Sequence, residues 1–125
     1  MTDNSDGVTK VVSRKKSGKE NADIPVTIRA RLKVARGPDK GKKFELKKSR
    51  TVIGRGKQAD IQLDDDQASR FHAEISFVNM EFRVKDMHSS NGTFLNGSSV
   101  VEYALHNNDK IMIGETLLQL TIELI

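Results

Sequence analysis

From Val26 onward apolar and polar residues take turns: Val26, Ile28, Ala30, Leu32 and Val34 alternate with Thr27, Arg29, Arg31 and Lys33. A period of two puts successive side chains on opposite faces of an extended chain, whereas a helix would scatter them round its circumference. This stretch therefore predicts a half-buried β-strand. The pattern recurs in short pieces. Phe44 and Leu46 face inward between Lys43 and Lys47. Thr51 to Gly54 and Asp60 to Leu63 read as short strands. Phe71, Ala73, Ile75 and Phe77 alternate with His72, Glu74 and Ser76. Phe82 with Val84, Thr93 to Leu95, Ile111 with Ile113, and Leu118, Leu120, Ile122 and Leu124 complete the series.

Turn signals separate the pieces. Gly37-Pro38-Asp39-Lys40-Gly41 is a strong one, and Asn91-Gly92 and Asn96-Gly97 are turn dipeptides flanking Thr93-Phe94-Leu95. Many short strands with frequent turns and no helical stretch predict an all-β antiparallel sandwich or barrel. No internal repeat is present. Residues 1–25 read differently. Beyond Met1 their apolar residues are Val8, Val11, Val12, Ala22 and Ile24. Such a segment buries too little surface to offset its ordering entropy, so a flexible N-terminal tail over 1–25 and a folded domain over 26–125 are expected.

Composition narrows the function classes. The chain of 125 residues has no cysteine, which excludes disulfides and thiolate metal sites. No apolar run is long enough to span a bilayer, and Asp3 and Asp6 make the start unlike a secretory signal. A cytoplasmic protein without a membrane partner is expected. The net charge of +4 favours anionic partners in general.

In a sandwich the inward residues build the scaffold and the end loops carry function. Three loops hold polar groups of interest. The first, Gly54-Arg55-Gly56-Lys57, sets an arginine fork between glycines, a pairing suited to phosphate or carboxylate. It is not a P-loop, because the Gly-Lys-Ser/Thr ending is missing. The second, Asp64-Asp65-Asp66-Gln67-Ala68-Ser69-Arg70-Phe71-His72, opens on three acids and offers Ser69 and Arg70 as donors. The acids lack calcium-loop spacing and read as a solvated loop, so no metal is expected. Ser69 and His72 with Asp86 or Asp109 suggest a hydrolase triad, but the nucleophile-elbow pattern is absent. The third, Asp86 to Thr93, is a tight turn of short hydroxyl and amide groups.

The ordered set Gly54-Arg55, Ser69-Arg70-Phe71-His72-Ala73 and Ser90-Asn91-Gly92-Thr93-Phe94-Leu95-Asn96-Gly97 strongly resembles the forkhead-associated (FHA) family. The resemblance covers about residues 28 to 124. It implies an eleven-stranded β-sandwich that binds phosphothreonine peptides at one end in Ser/Thr kinase signalling. The resemblance implies a binding module rather than an enzyme, and no cofactor is expected. By match to the motif, Arg55 grips the phosphate, Ser69 donates its hydroxyl to another phosphate oxygen, and Arg70 contacts phosphate or peptide backbone. Ser90 lies near the phosphothreonine and Asn91 bonds the peptide backbone. His72 braces the loops from behind, Gly54, Gly92 and Gly97 shape turns, and Asn96 is structural. Gln67 occupies a position that influences peptide selectivity, and its lack of charge argues against a charged preference. The expected partners are phosphothreonine-containing proteins. A monomer is expected. Thr9 of the tail, once phosphorylated, is a candidate ligand in cis. The competing function is nucleic-acid binding through the basic surface. Five Phe and one Tyr, mostly in the inward phase of strands, make a poor stacking platform, so nucleic acid is not expected.

Overall fold

The computed structural model describes residues 23–125; residues 1–22 of the expected tail, Thr9 among them, lie outside the described residues. The chain forms eleven strands, β1(Ile28–Arg36), β2(Lys43–Leu46), β3(Arg50–Gly54), β4(Ile61–Gln62), β5(Ala73–Val78), β6(Glu81–Asp86), β7(Thr93–Leu95), β8(Ser98–Val100), β9(Glu102–Leu105), β10(Lys110–Ile113) and β11(Thr116–Leu124). They make a six-stranded sheet in the order β2-β1-β11-β10-β7-β8 and a five-stranded sheet in the order β4-β3-β5-β6-β9. The sandwich expected from the two-residue period is thus the fold. Its pairs are antiparallel except β3 with β4, which run parallel over two residue pairs. No helix among the described residues is long and apolar enough to cross a membrane.

The core sits between the inner faces. Ala30, Leu32 and Val34 of β1 meet Leu118 and Leu120 of β11, while Ile53, Ala73, Ile75 and Val84 enter from the other sheet. Leu32, Leu118 and Leu120 are completely enclosed. Burying one such side chain contributes about 1.5–3 kcal/mol. The expected alternation holds through the middle of each long strand and fails at the ends. Val26 and Leu124 are 92% and 82% exposed, because each lies past the cover of the opposite sheet.

Ahead of Val26, Ile24 is buried and its N–H bonds the Lys47 carbonyl at 2.8 Å. Two expectations need correction. Phe71 was phased inward, but it is half-exposed and His72 is completely buried. The strand begins at Ala73, so the residues before it are free of the alternation. Strands β8 and β9 had no counterpart in the expected series. Ser98, Ser99, Glu102 and Tyr103 are all exposed, and strands at the rim of a sheet carry no apolar rhythm to read.

Candidate functional site

One end of the sandwich gathers the β3–β4, β4–β5 and β6–β7 connections. Backbone bonds lace the first two together. Arg55 N–H donates to Ser69 O at 2.9 Å and Gly56 N–H to Arg70 O at 3.0 Å. The approach is closer than a side chain allows: a Cβ at Gly54 would stand 2.1 Å from Arg70 O. Glycine is the residue that lets the two backbones touch.

His72 ties the second loop to the third. Its Nδ1 accepts the Ser69 N–H at 3.0 Å and its Nε2 donates to Gly92 O at 2.8 Å. The two bonds require the neutral tautomer with the proton on Nε2. Both ring nitrogens are thereby engaged, and neither faces the Ser69 hydroxyl as a base. Asp86, offered as a third triad member, bonds Ser89 and Thr93 instead. Asp109, the other one offered, accepts from Asn96 at 3.0 Å and from His106 N–H at 2.7 Å.

The third loop is folded on Asp86 and Ser89. Asp86 accepts from the Ser89 N–H and hydroxyl and from Thr93 Oγ1, the last at 2.8 Å. Ser89 Oγ in turn accepts the Gly92 N–H at 2.9 Å, and Gly92 takes a φ of 87°. Burial pushes the Asp86 carboxyl up, but the hydrogen bonds from Ser89 and Thr93 outweigh it and hold it below the ordinary carboxylate range.

These contacts bring the three loops together at one end of the sandwich. Ser69 Oγ accepts the Ser90 N–H at 3.0 Å, which leaves the hydroxyl proton of Ser69 to donate outward. Arg55 Nε donates to Ala68 O at 3.0 Å, fixing the plane of the guanidinium while its terminal nitrogens bond nothing among the described residues. Arg55 and Arg70, with Gly56, Lys57, Gln58, Gln62 and Phe71, border a depression of about 480 Å³. Asn91 Nδ2 donates to Gln67 O at 2.8 Å and lies 3.4 Å from Gln67 Oε1, so the candidate selectivity residue and the candidate peptide clamp touch. Asn96 and Gly97 stand apart from this end, in the β7–β8 turn, where Asn96 bonds Asp109 and the Lys110 N–H.

Two further acids support the loops. Asp65 stands in the acid run whose pattern reads as a solvated loop. It is 2% exposed and accepts from Gln67 N–H at 3.0 Å, Glu115 N–H at 2.9 Å and Thr116 Oγ1 at 2.6 Å. It pins the second loop to the β10–β11 turn, where a Cβ on Gly114 would meet its carboxylate at 2.9 Å. Asp39, inside the first turn signal, accepts the Asp64 N–H at 2.8 Å and an ion pair from Lys42 at 3.2 Å. The Asp64 N–H holds its carboxyl below the usual range. No sequence signal marks either acid, since burial of one Asp in a run of three depends on a turn fifty residues away. Among the described residues no group of His, Asp and Glu is arranged to hold a metal ion.

The same arrangement occurs in known proteins. The family model of the FHA domain matches residues 51–114, which contain all three loops. The glycogen accumulation regulator GarA of Mycobacterium tuberculosis is 44% identical over 86 residues, 69% of this chain and 53% of GarA. The oxoglutarate dehydrogenase inhibitor of Corynebacterium efficiens is 42% identical over 86 residues, 69% of this chain and 61% of that protein. The chain thus spans little more than half the length of the curated relatives it matches. A solved FHA domain studied for phosphothreonine-dependent interactions superposes with a TM-score of 0.72 at 28% identity, covering 78% of this chain and 99% of that one. The structure of EmbR from Mycobacterium tuberculosis with a low-affinity phosphopeptide gives a TM-score of 0.68 at 28% identity, covering 74% of this chain and 24% of that one. By motif, fold and family match, the chain belongs to the FHA domain family.

Proposed function

We propose that this chain is a non-enzymatic module that binds phosphothreonine-bearing protein segments at the three-loop end, in Ser/Thr kinase signalling. One observation carries the reading: the His72 bridge from Ser69 to Gly92 ties the loop that bears Ser69 and Arg70 to the loop that bears Ser90 and Asn91, while Arg55 N–H and Nε bond the former loop at Ser69 O and Ala68 O. A phosphothreonine brings about −1.5 to −2 charge and three acceptor oxygens. The Arg55 fork and the Ser69 hydroxyl are donors for that group, with Arg70 beside them. Asn91 Oδ1 accepts no bond among the described residues and suits a peptide N–H. Gln67, held against Asn91, would favour uncharged neighbours in the peptide.

Hydrogen bonds to charged groups contribute roughly 1.5–3 kcal/mol each. A few of them, less the cost of association, give modest and reversible affinity. The relatives named as a regulator and an inhibitor fit a chain that acts by binding. The chain itself would work as a cytoplasmic monomer, and phosphorylated Thr9 would be a ligand in cis. Calorimetry against a phosphothreonine peptide and its unphosphorylated twin tests the reading. Binding of the phosphorylated form only, lost in a folded Arg55→Ala variant, is expected. Equal binding by that variant overturns the site. Retention on DNA rather than on the phosphopeptide at physiological salt would favour the nucleic-acid alternative.

A further inference from the structure

The outer face of the six-stranded sheet is not uniformly polar. Phe94 of β7, Met112 of β10 and Leu117 of β11 stand side by side in register, and Arg36 of β1 ends the row. All three apolar residues are half-buried, with no layer over them among the described residues. With Asn96, Gly97 and Lys110 they line a groove of about 640 Å³. Neighbouring strands lie about 4.8 Å apart, so the apolar row runs roughly 10 Å across the sheet.

A second row lies beside the first, two residues along β10 and β11 and three along β1, where a bulge intervenes. It reads Lys43, Lys33, Gln119 and Lys110, again in register. The acids of this face, Glu45 and Glu123, are engaged with Arg29 and Arg31. Lys33, Lys43, Lys110 and Arg36 meet no carboxylate within 4.0 Å among the described residues. An apolar row bordered by four uncompensated cations is complementary to one kind of surface.

We propose that this face docks a partner segment that combines acidic residues with large apolar side chains. The apolar row takes the partner's carbon and the lysine row its carboxylates. The charge excludes a second copy of this basic face. It disfavours the chain's own residues 1–22, which carry five cations, Lys10, Arg14, Lys15, Lys16 and Lys19, against three acids, Asp3, Asp6 and Glu20. The face also touches the loop end: a Cβ on Gly92 would lie 3.6 Å from the Phe94 ring. A partner held here is therefore beside the third loop, yet the contact needs no phosphate.

The test uses the isotope-labelled full chain and three unphosphorylated synthetic peptides of equal length, built from Glu with Leu, Lys with Leu, and Glu with Ser. Amide shifts are followed by NMR. The Glu–Leu peptide is expected to move the amides around Phe94, Met112 and Leu117 and to bind at least tenfold tighter than the other two. Met112→Glu and, separately, Lys110→Glu should each weaken it tenfold or more. Neither should alter affinity for a phosphothreonine peptide, which separates this surface from the loop site. Similar affinity for all three peptides overturns the proposal. So do shifts confined to the loops, concentration-dependent shifts of this face without peptide (a second copy), or binding that appears only when residues 1–22 are removed.

Discussion

A methyl group at position 54 would occupy the place of the Arg70 carbonyl oxygen, 2.1 Å away. Gly54→Ala must therefore push the first two loops apart. We expect it to abolish phosphopeptide binding and to lower the melting temperature, measured by calorimetry on the same sample. Arg55 sits one residue on, where loss of the guanidinium removes the proposed contacts to the phosphate and leaves the backbone laced. Arg55→Ala should weaken binding by at least tenfold with an unchanged melting temperature. Arg55→Lys should also weaken it, because a point charge does not reproduce a planar fork. Asp86 adds a pH dependence. Its folded carboxyl ionises below the ordinary range, so the unfolded chain takes up the proton first, near pH 4. The stabilisation is complete above about pH 4 and is lost as the pH falls through the folded value. Asp39 and Asp60 are lowered too and act in the same direction. Melting temperatures should fall steeply below about pH 4, and Asp86→Asn should flatten that slope.

The loops belong to different strands but act as one element, because buried polar groups join them. His72→Ala would orphan the Ser69 N–H and the Gly92 carbonyl, each at about 1–3 kcal/mol. For a domain of this size each kcal/mol is about 4–8 °C, so a thermal scan should register a drop of several degrees together with weaker binding. Loss of turnover at full stability would instead restore a catalytic role for His72. Asp65→Asn keeps the shape of the side chain but replaces one acceptor oxygen with a donor facing the Glu115 N–H or Thr116. It should loosen the second loop, seen as faster amide exchange at Gln67 and Ala68. These joints explain what the sequence could and could not reveal. The strand middles were legible because each apolar residue reports its own burial by alternation. The loop chemistry was legible because Gly, Arg, Ser and Asn recur in a fixed order. The depths of His72 and Asp65 were not legible, since each is set by partners twenty or more residues away. The rim strands β8 and β9 were silent for another reason. Ser98, Ser99, Glu102 and Tyr103 are held by backbone pairing at exposed positions, where side-chain type is nearly free.

At the scale of the described domain, the three loops and the paired ends of β1 and β11 at Ile28 and Leu124 lie at opposite poles. The far end of β1 reaches Gly37, whose Cβ would lie 3.0 Å from Thr116 beside the second loop's anchor. Its near end pairs with the last strand through Ile28 and Leu124, and Ile125 N–H bonds Thr27 O at 2.8 Å. Nine residues of strand separate the two poles, about 30 Å at 3.3 Å each. A ligand at Thr9 would have to cover that distance with the residues from 9 to 24, whose fully extended reach is about 50 Å. Phosphorylating Thr9 should then weaken binding of an external phosphopeptide only when Arg55 is intact. Unchanged affinity relative to a chain lacking residues 1–22 rules out the self-contact. A matched pair of peptides should also favour phosphothreonine over phosphoserine several-fold, since burial of one additional methyl group is worth about 0.8 kcal/mol. The adjacency of Thr27 and Ile125 has a use in the laboratory as well. A host loop opened to receive residues 23–125 would attach beside Thr27 and Ile125, at the pole away from the three loops. The domain can be grafted like a plug, with its receptor face left pointing outward.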